Sequence, residues 1–163
     1  MKLSITPKRW LLIVHILFAA IMFGNMVTFL ILSITVATTD DGKLIETSYQ
    51  IMYLLSGTSI KASTIGATVS GVLLSVWTKW GLFKFYWIIA KQGLTVLLIG
   101  LNLWGMLTWT LQALTFTQMG GERTDIFLVQ AELWTGIIIQ LLSLVIMFAI
   151  SVFKPWGRRV VTP

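Results

Sequence analysis

Four long apolar runs, divided by short polar connections, constrain this chain more than any other feature of it. A helix that crosses a bilayer needs about 20 mostly apolar residues, because the hydrocarbon layer is roughly 30 Å thick and a helix rises about 1.5 Å per residue. Residues 10–36, 51–77, 86–110 and 127–153 each meet that length. A chain in lipid must satisfy its own backbone groups, so each run is read as a helix. Only 11% of the 163 residues are charged and the mean hydropathy is +0.87, too little charge to cover a soluble domain of this size. The run from Trp10 to Val36 is too long for the apolar core of a signal peptide, and no small-residue cleavage site closes it; it reads as a retained first span. The expected fold is all-α: one membrane domain over residues 1–163, built as a transmembrane four-helix bundle.

Charge sets the expected direction of insertion. The N-terminus, the 78–85 turn and the C-terminal tail carry Lys2, Lys8, Arg9, Lys79, Lys84, Lys154, Arg158 and Arg159 and no acidic residue. The 37–50 and 111–126 connections hold Asp40, Asp41, Glu46, Glu122 and Asp125 against only Lys43 and Arg123. The positive-inside rule therefore places both termini in the cytoplasm. Trp10, Trp77, Trp80, Tyr86, Trp87 and Trp156 form an aromatic belt at the same boundary. The net charge of +6 sits at the ends of apolar runs, which points to the lipid bilayer as partner and away from nucleic acid. The tail from Lys154 reads as an anchor against anionic headgroups.

The two halves align without gaps at a constant offset of 76, which sets Gly24 on Gly100 and Glu46 on Glu122. It also sets Ser75-Val76-Trp77 on Ser151-Val152-Phe153, and Trp80-Gly81 on Trp156-Gly157. This is the pattern of two parallel helical-hairpin repeats, or of coincidence among apolar residues with a shared need for boundary tryptophans; both readings stand. The same offset makes His15 and Lys91 equivalent.

Ionisable groups within a span are costly and mark candidate function. There are four: His15, Lys61, Lys91 and Glu132. His15 and Lys91 each lie about one and a half turns inside the same end of their helices and are expected to face one interior space. Lys61 lies roughly 24 Å above Trp77 and Glu132 roughly 31 Å above Phe153, a difference that a lysine side chain can span. An intramembrane Lys61–Glu132 ion pair is one expectation, and two side chains snorkelling to the headgroups the other. Ser63, Ala67, Gly71 and Ser75 recur every four residues, with Ala62 and Gly66 beside them. Such a stripe lets a neighbouring backbone approach closely, within the bundle or across a homodimer, and Gly100 and Gly105 are expected to do the same on the third span.

His15, Phe18, Met22 and Met26 share a helix face. That face suits a flat apolar cofactor, with His15 as the metal ligand if the cofactor is haem, and it suits an ordinary helix contact equally. The chain has no cysteine, hence no disulfide, thiolate metal site or cysteine nucleophile, and a single histidine excludes a zinc site with several histidines. The sequence holds no nucleophile–base pair, Gly-rich phosphate loop or carboxylate cluster, which argues against hydrolase and kinase chemistry. Redox chemistry carried by a cofactor stays open.

Two stretches carry a resemblance. One is Leu12-Ile13-Val14-His15-Ile16-Leu17 followed by Phe23-Gly24; the other is the turn Trp80-Gly81-Leu82-Phe83-Lys84-Phe85-Tyr86-Trp87 followed by Lys91. Over most of its length the chain resembles a family of small bacterial four-helix membrane proteins of unknown function. More distantly it is similar to the bacterial membrane-haem protoporphyrinogen oxidase and to the copper-resistance D family. The resemblance implies a bacterial plasma membrane, a role for His15 in binding haem b, and one for Lys91 in activity. The chain lacks the further histidines of those relatives and any Met-rich copper loop. Two functions follow as expectations: a bundle that binds haem or another small planar ligand at His15, Lys91, Met22 and Met26, or a non-catalytic transport or accessory membrane subunit.

Overall fold

A computed structural model describes residues 5–78, 81–120 and 123–157. Lys2, Lys79, Trp80, Glu122, Arg158 and Arg159, on which part of the charge count and of the repeat rests, lie outside the described residues, as do the side chains of Arg123 and Asp125.

Helix α1 runs from Ile5 to Thr38. A turn of three residues, 39–41, leads to α2, Gly42–Leu55. Asp41 starts α2 as its N-cap: the carboxylate accepts from the backbone N–H of Lys43 (3.0 Å) and Leu44 (3.4 Å), two of the donors a helix start leaves open. A π-helical turn, Ser56–Ile60, joins α2 to α3, Lys61–Trp77. After the 78–85 turn, which bends at Gly81 (φ +64°), come α4 (Tyr86–Gly100), a second π turn (Leu101–Gly105) and α5 (Met106–Gln118). Gly120, at φ +67°, takes the chain out of α5, a conformation glycine adopts without steric cost. The last helix, α6, spans Arg123–Phe153.

Four of these stretches are long and apolar enough to cross a membrane: Thr6–Thr38, Gly42–Trp77, Tyr86–Gln118 and Ile126–Phe153. The protein is thus an all-α, multi-pass four-helix bundle. The spans outrun the apolar runs. Residues 42–50 and 111–118, expected in connections, are helical, because a helix ends where a cap or a left-handed glycine ends it and not where hydropathy falls.

The spans pack as a ring in chain order. The first touches the second and fourth, and the third touches the second and fourth, while spans one and three, and two and four, stand diagonally. We call basal the end where α1 begins and α6 ends, and distal the end holding the 39–41 turn. The core is filled by Met26, Phe29, Met52, Ile60, Met106 and Ile137, all fully buried. Ile13, Leu17, Val96, Trp104 and Leu142 point outward, as lipid-facing residues must.

Hydrophobicity does not drive helices together in lipid, so close packing has to. The tightest packing lies between α1 and α3. A methyl group at Gly66 would sit 2.6 Å from ring carbons of Phe18, and one at Gly71 would sit 3.1 Å from Cε1 of His15. The small-residue stripe thus serves the bundle. Gly100 does not work this way: it faces open space, as does its repeat counterpart Gly24, while a methyl group at Gly105 would lie 3.1 Å from the Trp109 ring of its own span. Among the described residues the two π turns interrupt only the second and third spans, and they touch each other. The offset of 76 therefore aligns each interrupted span with an uninterrupted one. The two hairpins share direction but not this feature.

Candidate functional site in the polar interior

The interior of the bundle carries polar groups along most of its height. Asn25, Ser33, Ser48, Ser56, Thr64 and Ser70 are buried on the first two spans, and Asn102, Thr110, Gln140 and Ser143 on the last two. From His15 to Ser33 is a rise of roughly 27 Å, close to the thickness of the hydrocarbon layer.

At the basal end His15 lies against α3. Its Nδ1 is 3.1 Å from the carbonyl oxygen of Ala67 and 3.0 Å from Oγ of Ser70. A carbonyl oxygen can only accept, so Nδ1 carries the proton and a neutral imidazole leaves Nε2 bare. Lys91, on the diagonally placed third span, donates from Nζ to Oγ of Ser151 on α6 at 2.8 Å. His15 and Lys91 are thus held by different neighbouring helices, α3 and α6.

The face expected to border a planar cofactor is not free to do so. His15 lies on Ala67, Ser70 and Gly71, and Phe18 on Gly66. Met22 is buried, its sulfur 3.5 Å from Oγ1 of Thr64 and 3.7 Å from Nδ2 of Asn102, and Met26 is fully enclosed. The small residues of α3 bring its backbone onto this whole face, so the His15–Phe18–Met22–Met26 stripe is a helix contact and does not fit haem b. Of the two occupants this face suits, the structure shows the neighbouring helix.

The Lys61–Glu132 ion pair is also not formed. The two residues belong to diagonal spans, and among the described residues nothing pairs with either side chain. Glu132 points outward, where it lines a shallow surface groove with Trp109, Leu128, Ala131 and Thr135. Lys61 is half-buried. Equal height above the basal boundary brings two groups together only on neighbouring helices, and hydropathy does not reveal which helices are neighbours.

Three buried amides, which the sequence reading passed over, form a graded series at mid-height. Asn25 is satisfied: Nδ2 donates to Oγ of Ser59 at 2.9 Å, and that hydroxyl lies 3.2 Å from Oδ1. Asn102, inside the second π turn, is half satisfied: Nδ2 donates to Oγ1 of Thr64 at 3.0 Å, but Oδ1 has no partner among the described residues. Gln140, fully buried on α6, has no partner for Nε2 or for Oε1. Serine and threonine solve the same problem alone. Ser56 bonds back to the carbonyl of Met52 at 2.7 Å, Thr110 to that of Met106, and the two hydroxyls meet at 3.0 Å. A side-chain amide has no such local solution. A signal was present in the sequence: Asn102 and Gln140 are uncharged but strongly polar residues in the middle of apolar runs. Tyr49 adds a third unpartnered group, its buried hydroxyl, nearer the distal end. Comparison with protein families, curated proteins and solved structures gives no match.

Proposed function

We propose that the protein is a membrane transport protein in which a small polar species passes along the bundle interior, with both termini on the cytoplasmic side of a bacterial plasma membrane. One observation carries the reading: a glutamine fully buried at mid-height with neither end of its amide bonded. Burying an unbonded amide costs on the order of 2–7 kcal/mol. A bundle that needed only to hold together would replace Gln140 with leucine. Three features support the same reading. Buried polar groups extend along the interior, two ionisable groups are bonded to neighbouring helices toward its basal end, and the two π turns that interrupt the helices touch, the second of them holding Asn102. Helix interruptions of this kind recur at functional sites. The orientation rests on the one-sided distribution of Lys and Arg.

The test is reconstitution of the full chain in liposomes. The fluxes of protons, potassium ions and small neutral solutes are compared with those of empty vesicles. At least one should rise, and Gln140→Leu should abolish that rise. If none rises, the transport reading is wrong. Cysteines placed at Thr39 and Lys154 check the orientation: in whole cells only the first should react with an impermeant maleimide.

A further inference from the structure

The third and fourth spans run antiparallel in a register that several contacts fix. Lys91 meets Ser151, Thr95 meets the sulfur of Met147 at 3.8 Å, and the Met106 sulfur would lie 3.3 Å from a methyl group at Gly136. Asn102 lies in the second π turn, which packs against α6, and Gln140 lies on α6 one turn toward the basal end from Gly136. The two unsatisfied amides therefore lie on adjacent, touching helices, both fully buried.

The unpartnered atoms define what could sit there. They are Asn102 Oδ1, Gln140 Oε1 and Gln140 Nε2: two acceptors and one donor. In the structure Asn102 Nδ2 donates to Thr64 Oγ1, which leaves Oδ1 free; turning this amide over would exchange a free acceptor for a free donor and still leave the pair with both kinds of group. Flipping Gln140 changes nothing, because both its ends are free. The charge of a guest is constrained as well. The described interior has no buried carboxylate to stabilise a cation, and Lys91 would repel one from the basal side. An anion would face the two acceptor oxygens. Leu98, Met106, Ile137 and Leu144, about one turn away along the same two spans, are all buried, so the neighbourhood is apolar.

We infer that the Asn102–Gln140 pair is a binding point for a small neutral molecule that both donates and accepts hydrogen bonds, of the size of water or urea. This names the species class of the transport reading above and rests on it. Such a guest donates to Asn102 Oδ1 and Gln140 Oε1 and accepts from Gln140 Nε2.

The experiment uses the full chain in phosphatidylethanolamine–phosphatidylglycerol liposomes. Stopped-flow light scattering follows vesicle volume under sucrose, urea and glycerol gradients, and parallel assays follow proton and potassium flux. Wild type should raise water or urea permeability several-fold over empty vesicles, and Gln140→Leu should return it to the empty-vesicle value. Gln140→Met serves if the leucine variant does not fold. If protons or potassium pass and no neutral solute does, the transport reading stands and the neutral guest is overturned. A neutral flux unchanged by either variant removes Gln140 from the path and overturns the site. No flux of any probe overturns both readings.

Discussion

The basal layer and the mid-height layer of this bundle solve the same problem in opposite ways. At the basal end the two ionisable side chains each meet a partner on a neighbouring helix: His15 meets Ser70 and Ala67, and Lys91 meets Ser151. At mid-height Asn102 is half paired and Gln140 not at all. Both layers hold polar groups at a depth where lipid offers no hydrogen bonds. The basal groups are therefore struts between helices, whereas Gln140 adds no hydrogen bond between helices and awaits a separate explanation. The difference teaches that polarity inside a membrane bundle has to be sorted by satisfaction before it is read as function.

The contrast can be broken or sharpened by substitution, with unfolding in a mixed-micelle SDS titration as the common readout. Gly66→Val should have the largest effect, a loss of about 1–3 kcal/mol, because its side chain would enter the space of the Phe18 ring. Adding Phe18→Leu should restore part of the loss, and strict additivity would show that the two residues do not share that contact. His15→Leu should come next, at about 1 kcal/mol, since it removes the link between α1 and α3 and crowds Gly71. Lys91→Met and Ser151→Ala should each cost less. Their double-mutant cycle should show a coupling of about 0.6 kcal/mol, the average for hydrogen bonds between membrane helices. A coupling of zero would place Lys91 among snorkelling side chains and weaken the comparison.

The fold was legible in the sequence because lipid is a severe solvent: run length alone counts the spans. The stripe of Ala67, Gly71 and their neighbours was legible too, since small residues at helical spacing have few uses in a membrane. Helix ends were not read correctly, because Asp41 and Gly120 act through backbone geometry that hydropathy averages away. Lys61 and Glu132 match in depth without being adjacent, and of the two readings open for the face of Met22 and Met26 the helix contact is the one that forms, neither of which hydropathy reveals. The π turns leave no signature in composition. Gln140 and Asn102 were visible as residues, but their lack of partners is a property of the assembled bundle.

The most direct test is Gln140→Leu, measured for stability and flux on the same preparation. The amide makes no bond within the protein and leucine is of similar volume. Replacing an unbonded buried polar group by an apolar one of the same shape is nearly neutral or stabilising. The account predicts unfolding within about 0.5 kcal/mol of wild type, or later, together with loss of the solute flux. A variant that unfolds as readily as His15→Leu, or that keeps the flux intact, would show Gln140 to be one more strut and would contradict the account.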